Sequence, residues 1–417
     1  MASSKINCCR LCGHQQLTTV MDLGEHRLSS RFPAADEPDP ISVPLILVKC
    51  DDRDNDACGL IQLSHTTSSD ELYLHHYGYR SGLNQTMINH LTELVKDIES
   101  KIQLHITDVV LDIGSNDSTL LKSYTLGDKL CRVGIDPTGL QFKQYYPGDV
   151  HLIPDFFTQQ VYESKLTRSA KVVSSISMFY DLENPTSFSR DIKEILAPDG
   201  IWVCEQSYAV SMMKQNSFDT VCHEHLEYYT LKQFDYICQQ VGLKIIDVTK
   251  NDCNGGSFRV TMTHQDNDMI VDERVQQFRQ AENDLMLSNF EVINAFCQRV
   301  EDNKTKLVDF IKQQKEQGKI IYLYSASTKG NTLLQYYGLN NKIITAAAER
   351  NPEKYGRRTP GTNIPIISEA EMRLQKPDYL LVMAWAFRWE FIAREKQYME
   401  DGGTIIFPLP KFESYPK

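Results

Sequence analysis

The sequence predicts an α/β protein in which a small cysteine-rich module precedes two larger domains with parallel β-sheets. Cysteines crowd the first 58 residues, and two apolar segments, at 109–113 and 319–324, each lead into a turn of small residues. A chain of 417 residues also exceeds what a single hydrophobic core usually supports. We therefore predict a module over residues 1–68, a central doubly wound domain over 69–265 and a C-terminal Rossmann-like domain over 266–417.

The composition is that of a globular protein, with 41% hydrophobic and 10% aromatic residues. A formal net charge of -11 argues against a nucleic-acid partner, because phosphate neutralisation requires clustered Lys and Arg. It does not exclude an anionic small molecule, which needs only a local group of donors. No apolar run is long enough to cross a bilayer, and Met1–Arg10 lacks the apolar core of a signal peptide. We expect a cytoplasmic protein without a membrane partner, either monomeric or a weak homo-oligomer.

The N-terminal cysteines have the spacing of a zinc site. Cys9 and Cys12 are separated by two residues and followed by a glycine, as in a zinc knuckle. Cys50 and Cys58 form the second pair, although seven residues separate them and the insert is acidic. Cys8 could compete with Cys9, but the spacing of Cys9 and Cys12 fits one metal better. We predict a closed, structural zinc site of four thiolates, which would supply much of the stability of this small module.

The central segment has the pattern of a nucleotide-binding α/β unit. Val109–Ile113 reads as a buried parallel strand, and Gly114 permits a ligand to approach the backbone closely. The next apolar strand ends at Asp136, where doubly wound folds hold a ribose diol. Only one glycine is present instead of GxGxxG, so a dinucleotide has no evident cradle. The pattern instead resembles the first two motifs of S-adenosylmethionine-dependent methyltransferases. The residues that this resemblance assigns to the cofactor are Asp112, Gly114, Asn116, Asp136, Asp155, Phe156 and Ser175.

The densest group of ionisable residues is His223-Glu224-His225, with Tyr228 and Tyr229 three residues further on. Such a group is expected where a proton moves, because histidine titrates nearest neutral pH and works best when a second group orients it. A solvated turn with two surface histidines is the simpler alternative. A catalytic metal is disfavoured, because Glu227 replaces the second histidine of HExxH.

The C-terminal part begins with charged helical segments over 272–316, which we interpret as structural spacers. The strand at 319–324 then leads into a turn of small residues at 325–330 that presents backbone amides, hydroxyls and Lys329 to an anion. It is not a Walker loop. We expect it to hold a nucleotide diphosphate or to close a sugar cleft, although a degenerate domain without a ligand is the alternative. The predicted substrate-binding residues are Tyr229, Asn254, Ser325, Ser327, Thr328, Lys329 and Asn331.

Several motifs in this order resemble those of one family, the C-methyltransferases that act on nucleotide-linked 4-keto deoxysugars. They are Cys-Arg-x-Cys-Gly at 9–13, Cys-Gly-Leu-Ile-Gln-Leu at 58–63, Tyr-Gly-Tyr-Arg-Ser at 77–81, Leu-Asp-Ile-Gly-Ser-Asn-Asp at 111–117, Asn-x-Phe-Asp-Thr-Val-Cys-His-Glu-His at 216–225, Asn-Gly-Gly-Ser-Phe at 254–258, Ser-Ala-Ser-Thr-Lys-Gly-Asn at 325–331, Thr-Pro-Gly-Thr at 359–362, and Gly402-Gly403 followed by Pro-Leu-Pro at 408–410. The resemblance covers nearly the whole chain. It implies a zinc module, a central methyltransferase domain that binds S-adenosylmethionine and a C-terminal Rossmann-like domain.

The resemblance also implies a reaction and its residues. The enzyme would add a methyl group to C3 of a dTDP- or GDP-linked 4-keto-6-deoxyhexose through an enolate, in branched-chain deoxysugar biosynthesis. His225 would be the base, Glu224 would hold a sugar hydroxyl or orient an imidazole, and His223 would support them. Tyr77 and Tyr79 could fold over the sugar.

Two alternatives belong to other classes, namely a nicotinamide-dependent sugar-nucleotide dehydrogenase or epimerase and a non-enzymatic zinc scaffold. The first lacks GxGxxG and a Tyr-x-x-x-Lys pair, and the dense His-Glu-His segment argues against the second. Cys222 departs from some antibiotic-sugar members, which carry tyrosine there. The sequence leaves open the nucleotide base, the stereochemistry of the sugar, and whether its C3 carries oxygen or nitrogen.

Overall fold

Four β-sheets organise the chain in the computed structural model, which describes residues 3–53, 56–68, 71–72 and 79–416. Two small sheets belong mainly to the N-terminal module, a seven-stranded sheet forms the centre, and a six-stranded sheet forms the C-terminal part. This architecture confirms the predicted α/β class and its three-part arrangement. In the described ranges, no helix combines the length and the apolar character that crossing a membrane requires.

The N-terminal module is built from antiparallel strands. They are β1 (Ser3–Lys5), β2 (Leu17–Arg27), β3 (Ser42–Cys50), β4 (Ile61–Leu63) and β5 (His65–Thr67). β2, β3 and β4 pair in sequence, and β1 pairs with β5. Leu45, Leu47 and Leu63 are buried in a cluster that also contains residues of the C-terminal part. The module thus shares its apolar core with the rest of the molecule, as its small size requires.

The central domain is a doubly wound sheet with the strand order β12-β13-β10-β9-β6-β7-β8. Its strands are β6 (Val109–Ile113), β7 (Cys131–Ile135), β8 (Val150–Ile153), β9 (Ala170–Ile176), β10 (Leu196–Ser207), β12 (Leu243–Asn251) and β13 (Ser257–His264), with a short strand β11 (Glu227–Tyr228) outside this sheet. Its helices are α1 (Gln85–Lys101), α2 (Gly139–Phe142), α3 (Gln159–Glu163), α4 (Pro185–Ile195), α5 (Ala209–Gln215) and α6 (Leu231–Val241). The adjacent strands β10, β9, β6, β7 and β8 are parallel to one another. β13 pairs antiparallel with β10, and β12 pairs antiparallel with β13. All parallel strands therefore end at one edge of the sheet, where α/β proteins bind ligands.

Strand β11 connects the central domain to the module. It pairs with β4, so that Glu227 faces Gln62 and Tyr228 faces Ile61. β11 begins two residues after His225 in the sequence. The module's sheet therefore fixes the position of the His-Glu-His segment.

The C-terminal part consists of two connecting helices and a mainly parallel sheet with the order β16-β15-β14-β17-β18-β19. Its elements are α7 (Glu273–Asn283), α8 (Phe290–Glu316), β14 (Ile321–Tyr324), α9 (Thr328–Tyr337), β15 (Ala347–Glu349), β16 (Ile366–Ser368), α10 (Glu369–Gln375), β17 (Tyr379–Val382), α11 (Arg388–Arg394), α12 (Lys396–Glu400), β18 (Thr404–Phe407) and β19 (Glu413–Tyr415). Phe278 of α7 stacks on Phe258 of the central domain, whereas α8 packs into the C-terminal core. The predicted domain boundaries at 68/69 and 265/266 stay predictions.

Candidate functional site

The four predicted metal ligands lie together at one end of the module. The sulfur atoms of Cys9 and Cys58 are 3.5 Å apart, as are those of Cys12 and Cys50, and all four lie within 4.8 Å of one another. A tetrahedral zinc site with Zn–S bonds of about 2.3 Å places its sulfurs about 3.8 Å apart. The donor set therefore fits zinc closely. Cys8, the competing thiol, is exposed and lies outside this group.

Ion pairs hold the acidic insert between Cys50 and Cys58 against both the module and the central domain. The Asp52 carboxylate contacts the ammonium groups of Lys49 and Lys232, the latter at 2.7 Å. Gly59 has a φ of +74°, which is the left-handed conformation that glycine adopts without strain. The chain thereby returns Cys58 to the other three thiols.

Asp136 holds the turn after β6. Its Oδ2 accepts the Asn116 N–H at 2.7 Å, and its Oδ1 accepts the backbone N–H and the hydroxyl of Thr138, each at 2.7 Å. A carboxylate offers about four acceptor positions, so one position on Oδ2 remains for a ligand. Gly114, before this turn, has a φ of +75° and begins the loop at the end of β6. These features fit a ribose hydroxyl approaching the loop.

Asn116 joins this loop to the segment that follows the module. Its side-chain Nδ2–H donates to the Tyr79 carbonyl at 3.1 Å, and its Oδ1 accepts the Ser81 N–H at 3.0 Å. The Gly82 N–H donates to Asp117 at 2.9 Å. The Tyr79 side chain is 49% exposed. The segment 79–82 thus lies against the predicted cofactor loop, whereas Tyr77 lies outside the described residues.

The other predicted cofactor residues divide into buried and exposed positions. Burial raises the pKa of Asp112 to about 7, although a hydrogen bond from Ser174 at 2.6 Å opposes the shift. Ser175 is buried and its hydroxyl accepts the Trp202 indole N–H at 2.9 Å. Asp155 and Phe156 are exposed just after β8. Asp112 and Ser175 are therefore buried near the carboxyl ends of β6 and β9, and Asp155 and Phe156 are exposed after β8.

One ring nitrogen of His225 makes a hydrogen bond to the backbone. Its Nδ1 lies 2.7 Å from the Thr220 carbonyl oxygen, which can only accept, so Nδ1 carries the hydrogen and Nε2 keeps its lone pair. The ring packs on that of Tyr180, with centroids 4.2 Å apart. Burial lowers the pKa of His225 to about 4, and the positive charge of Lys329 adds to that effect. The imidazole is therefore neutral at pH 7 and can accept a proton at Nε2.

His223 and Glu224 lie on the module side of His225. The Nε2–H of His223 donates to the Val43 carbonyl of β3 at 3.0 Å, and burial lowers the pKa of this imidazole. Glu224 is 6% exposed, and neither of its carboxylate oxygens has a hydrogen-bond partner among the described residues. Burial, with the nearby Glu224 charge, raises the pKa of the Cys222 thiol well above its ordinary value. His223 therefore anchors the segment, and Glu224 is available to a ligand with hydroxyl groups.

Tyr229, predicted to bind substrate, lies in the core of the central domain. It is fully buried, its ring is 5.4 Å from those of both Phe179 and Phe234, and its hydroxyl donates to Glu227 at 3.0 Å. This placement gives Tyr229 a packing role.

The C-terminal domain approaches the His225 ring through Lys329. Its ammonium group donates to the Asn254 carbonyl at 3.0 Å, which joins the first turn of α9 to the loop after β12. Ser327 caps α9 by accepting the Gly330 N–H at 3.1 Å, and Ser325 has a φ of +74° in the preceding turn. Thr328 is the first residue of α9. The structure thus brings the predicted substrate residues 325–329 and Asn254 to one junction.

Two residues that the sequence did not single out complete the junction. The Trp385 indole N–H donates to Asp219 Oδ2 at 3.0 Å, and both side chains are buried. Burial raises the pKa of Asp219, while the charge of Lys329 lowers it. The only signal in the sequence was that Asp219 falls inside the motif at 216–225. Trp385 is 166 residues away and carries no local signal.

Comparisons with known proteins cover all three parts of the chain. Family models match for a zinc binding domain at 9–73, a methyltransferase domain at 79–248 and a C-methyltransferase C-terminal domain at 252–410. The C-methyltransferase NovU of Streptomyces niveus is 30% identical over 409 residues, which cover 97% of this chain and 95% of that protein.

Among solved structures, an O-methyltransferase family protein from Burkholderia thailandensis aligns with a TM-score of 0.36 at 14% identity, over 48% of this chain and 64% of that one. An S-adenosylmethionine-dependent methyltransferase from Clostridium acetobutylicum aligns with a TM-score of 0.33 at 8% identity, over 42% of this chain and 92% of that one.

Proposed function

Because the chain belongs to the family of S-adenosylmethionine-dependent C-methyltransferases with a zinc-binding module, we propose that it methylates C3 of a nucleotide-diphospho-4-keto-6-deoxyhexose. The observation that carries the proposal is the neutral His225 ring, whose Nδ1 is held by the Thr220 carbonyl and whose Nε2 makes no hydrogen bond with the residues that the structure describes. Family membership favours this reading over a nicotinamide-dependent enzyme and over a scaffold without activity.

The first step is removal of the proton on C3, which the neighbouring C4 ketone acidifies. His225 Nε2 takes this proton, and the electron pair of the C–H bond moves into an enolate. S-adenosylmethionine supplies an electrophilic methyl group, so a C3–CH₃ bond forms as the S–CH₃ bond breaks and S-adenosylhomocysteine leaves. Thr220 keeps the neutral imidazole in the reactive tautomer before proton transfer, because its carbonyl holds Nδ1–H.

Glu224 is proposed to hold the sugar. A buried carboxylate without hydrogen-bond partners is costly, and the hydroxyl groups of a hexose would supply the missing donors. The charge of Glu224 acts on the His225 imidazole, so a sugar bound at Glu224 would lie near the proposed base. In this proposal the residues Ser325–Lys329 hold the nucleotide diphosphate, since Lys329 extends from the first turn of α9 to the Asn254 carbonyl of the central domain.

The proposal is tested by incubating the protein with S-adenosylmethionine and a panel of dTDP- and GDP-linked 4-keto-6-deoxyhexoses. We expect a product one methyl group heavier, and its NMR spectrum should place the new carbon on C3. Absence of a methylated product across both nucleotide series would contradict the substrate class. A methyl group on C5, the other carbon next to the ketone, would keep the substrate and contradict the position.

Replacement of Asp136 should weaken cofactor binding. Asp136→Ala removes the acceptor for a ribose hydroxyl and also the hydrogen bonds that hold the loop at Asn116 and Thr138. A hydrogen bond to a charged group contributes about 1.5–3 kcal/mol, so affinity for S-adenosylmethionine should fall by roughly tenfold or more. Calorimetric titration measures this change. Asp128→Ala, at an exposed position of the same domain, is the matched control, and unchanged binding by Asp136→Ala would show that the ribose is held elsewhere.

A further inference from the structure

A second group of ionisable side chains joins helix α1 to the end of β10 and the turn after β12. The Cys253 sulfur, a ring nitrogen of His90 and a carboxylate oxygen of Glu205 all lie within 4.8 Å of one another. In the ranges that the structure describes, only this group and the four zinc thiols bring three or more such donors so close together. We call Cys253, His90 and Glu205 the thiol triad.

Glu205 orients the imidazole of the triad. One of its carboxylate oxygens contacts His90 Nε2, and the other accepts the Arg259 Nε–H at 2.8 Å and the Asn251 side-chain N–H at 3.0 Å. Burial raises the pKa of Glu205, but the hydrogen bond from His90 and the charges of its partners outweigh that effect and lower it. Glu205 is therefore held as an anion, with one oxygen directed at the His90 ring.

His90 carries a positive charge at neutral pH. Burial lowers its pKa, but hydrogen bonds with Cys253 and Glu205, together with the negative charges of both groups, raise the pKa of His90 to about 10. An imidazolium has no lone pair to give to a metal ion, and the Arg259 guanidinium is a further cation beside Glu205. The triad therefore disfavours a metal and instead places a proton donor beside a sulfur atom.

Cys253 is fixed in position and remains accessible. Its backbone N–H donates to the Asn251 side-chain oxygen at 2.9 Å, and its carbonyl accepts the Ser257 hydroxyl at 3.0 Å. The residue is half-buried, whereas three of the other cysteines outside the zinc site are buried. A small reagent can therefore reach a sulfur atom that the turn after β12 holds beside an imidazolium.

We propose that Cys253 is a nucleophilic thiol, activated by His90 and Glu205, at which hydrogen peroxide and other small electrophiles modify the chain. The thiolate is the reactive form of cysteine, and an adjacent imidazolium stabilises its negative charge. With hydrogen peroxide, an S–O bond forms as the O–O bond breaks, so the sulfur is oxidised to a sulfenic acid and the peroxide is reduced. The departing hydroxide takes the proton of His90 and leaves as water.

The triad is distinct from the proposed base but lies next to the junction of the two large domains. Cys253 precedes Asn254, whose carbonyl accepts the Lys329 ammonium at 3.0 Å. An oxygen atom added to the sulfur would therefore change the turn that joins the central domain to α9. The inference goes beyond the proposed function, since it requires neither a sugar nor a transferred methyl group.

The test compares the rates at which individual cysteines of the intact, zinc-loaded protein react with iodoacetamide at pH 7, followed by mass spectrometry of their peptides. Cys131 and Cys297 are internal controls, because they are half-buried like Cys253. Cys253 should react about tenfold faster than either, since only a small fraction of an ordinary thiol is ionised at this pH. Dimedone, which traps sulfenic acids, should label Cys253 first after treatment with hydrogen peroxide.

Variants assign the reactivity to the triad. His90→Asn removes the imidazolium, so the rate at Cys253 should fall to that of Cys131. His151→Asn removes an exposed imidazole from the same domain and should leave the rate unchanged. Thermal unfolding checks that each variant is folded. The comparison within the wild-type chain needs no variant, so it decides the inference even if His90→Asn does not fold.

Each outcome supports or overturns the inference. Fast labelling of Cys253 that depends on His90 supports it, whether or not any sugar nucleotide is methylated. Equal rates at Cys253 and Cys131 in the wild type would overturn it. So would a fast Cys253 in a folded His90→Asn protein, because accessibility alone would then explain the rate. Protection of Cys253 by zinc that Cys58→Ser still binds would assign the triad to a metal instead.

Discussion

Replacing His225 by asparagine should leave a folded protein that binds S-adenosylmethionine normally and turns over about 10²–10⁴ times more slowly. The asparagine amide can still donate to the Thr220 carbonyl, so the local hydrogen bond survives while the basic nitrogen is lost. The decisive measurement is exchange of the C3 hydrogen for solvent deuterium. Exchange reports proton removal alone, so it should disappear in His225→Asn and persist in the wild type without cofactor.

The pH dependence of the wild type gives a second measurement of the same base. Since burial and Lys329 lower the pKa of His225 to about 4, the imidazole is neutral and competent above that pH. The acid limb of kcat/KM should therefore fall well below the ordinary histidine value near 6.5. Lys329→Met removes one cause of the shift, so the limb should move toward higher pH.

His223 provides the contrasting variant. Its ring nitrogen is committed to the Val43 carbonyl, so His223→Asn should affect stability more than proton exchange. If His223→Asn abolishes exchange while His225→Asn retains it, the two imidazoles have the opposite roles. If neither variant affects exchange, the base is a tyrosine or Glu224.

Much of the fold could be predicted because local patterns determine it. The run at Val109–Ile113 forms strand β6 with the predicted bounds, since a parallel strand buried on both faces is apolar at most of its positions. Helix α4 begins at Pro185, because Asn184 caps it and proline suits the first turn. The four thiols also assemble as their spacing predicted.

The site was less predictable, because its contacts join distant parts of the chain. Sequence reasoning selected Tyr229, yet Tyr180 is the tyrosine that packs on His225. Asp136 was predicted to hold the ribose, but nothing in the sequence indicated that it also accepts hydrogen bonds from Asn116 and Thr138. Such pairings depend on how domains pack, and no periodicity or spacing within one segment encodes them.

Loss of the metal should have the largest effect on folding. Structural zinc sites contribute on the order of 10–16 kcal/mol of binding free energy, which is comparable to the whole stability of a typical domain. The thiols hold together Cys9–Cys12, the end of β3 and the approach to β4, and β4 in turn pairs with β11 beside His225. Cys58→Ser should therefore abolish zinc binding, lower solubility and remove activity, because the loss reaches the His-Glu-His segment through the β4–β11 pair.

Metal analysis and thermal unfolding test this expectation together. The wild type should contain close to one zinc per chain, and a strong chelator should lower the unfolding temperature and the turnover in parallel. Cys8→Ser is the matched control, since this exposed thiol is adjacent to Cys9 and lies outside the four-sulfur group. A metal-free protein that stays folded and fully active would contradict a structural role. Recovery of activity on adding zinc back would show that the metal maintains the position of β11, and with it the ring of His225.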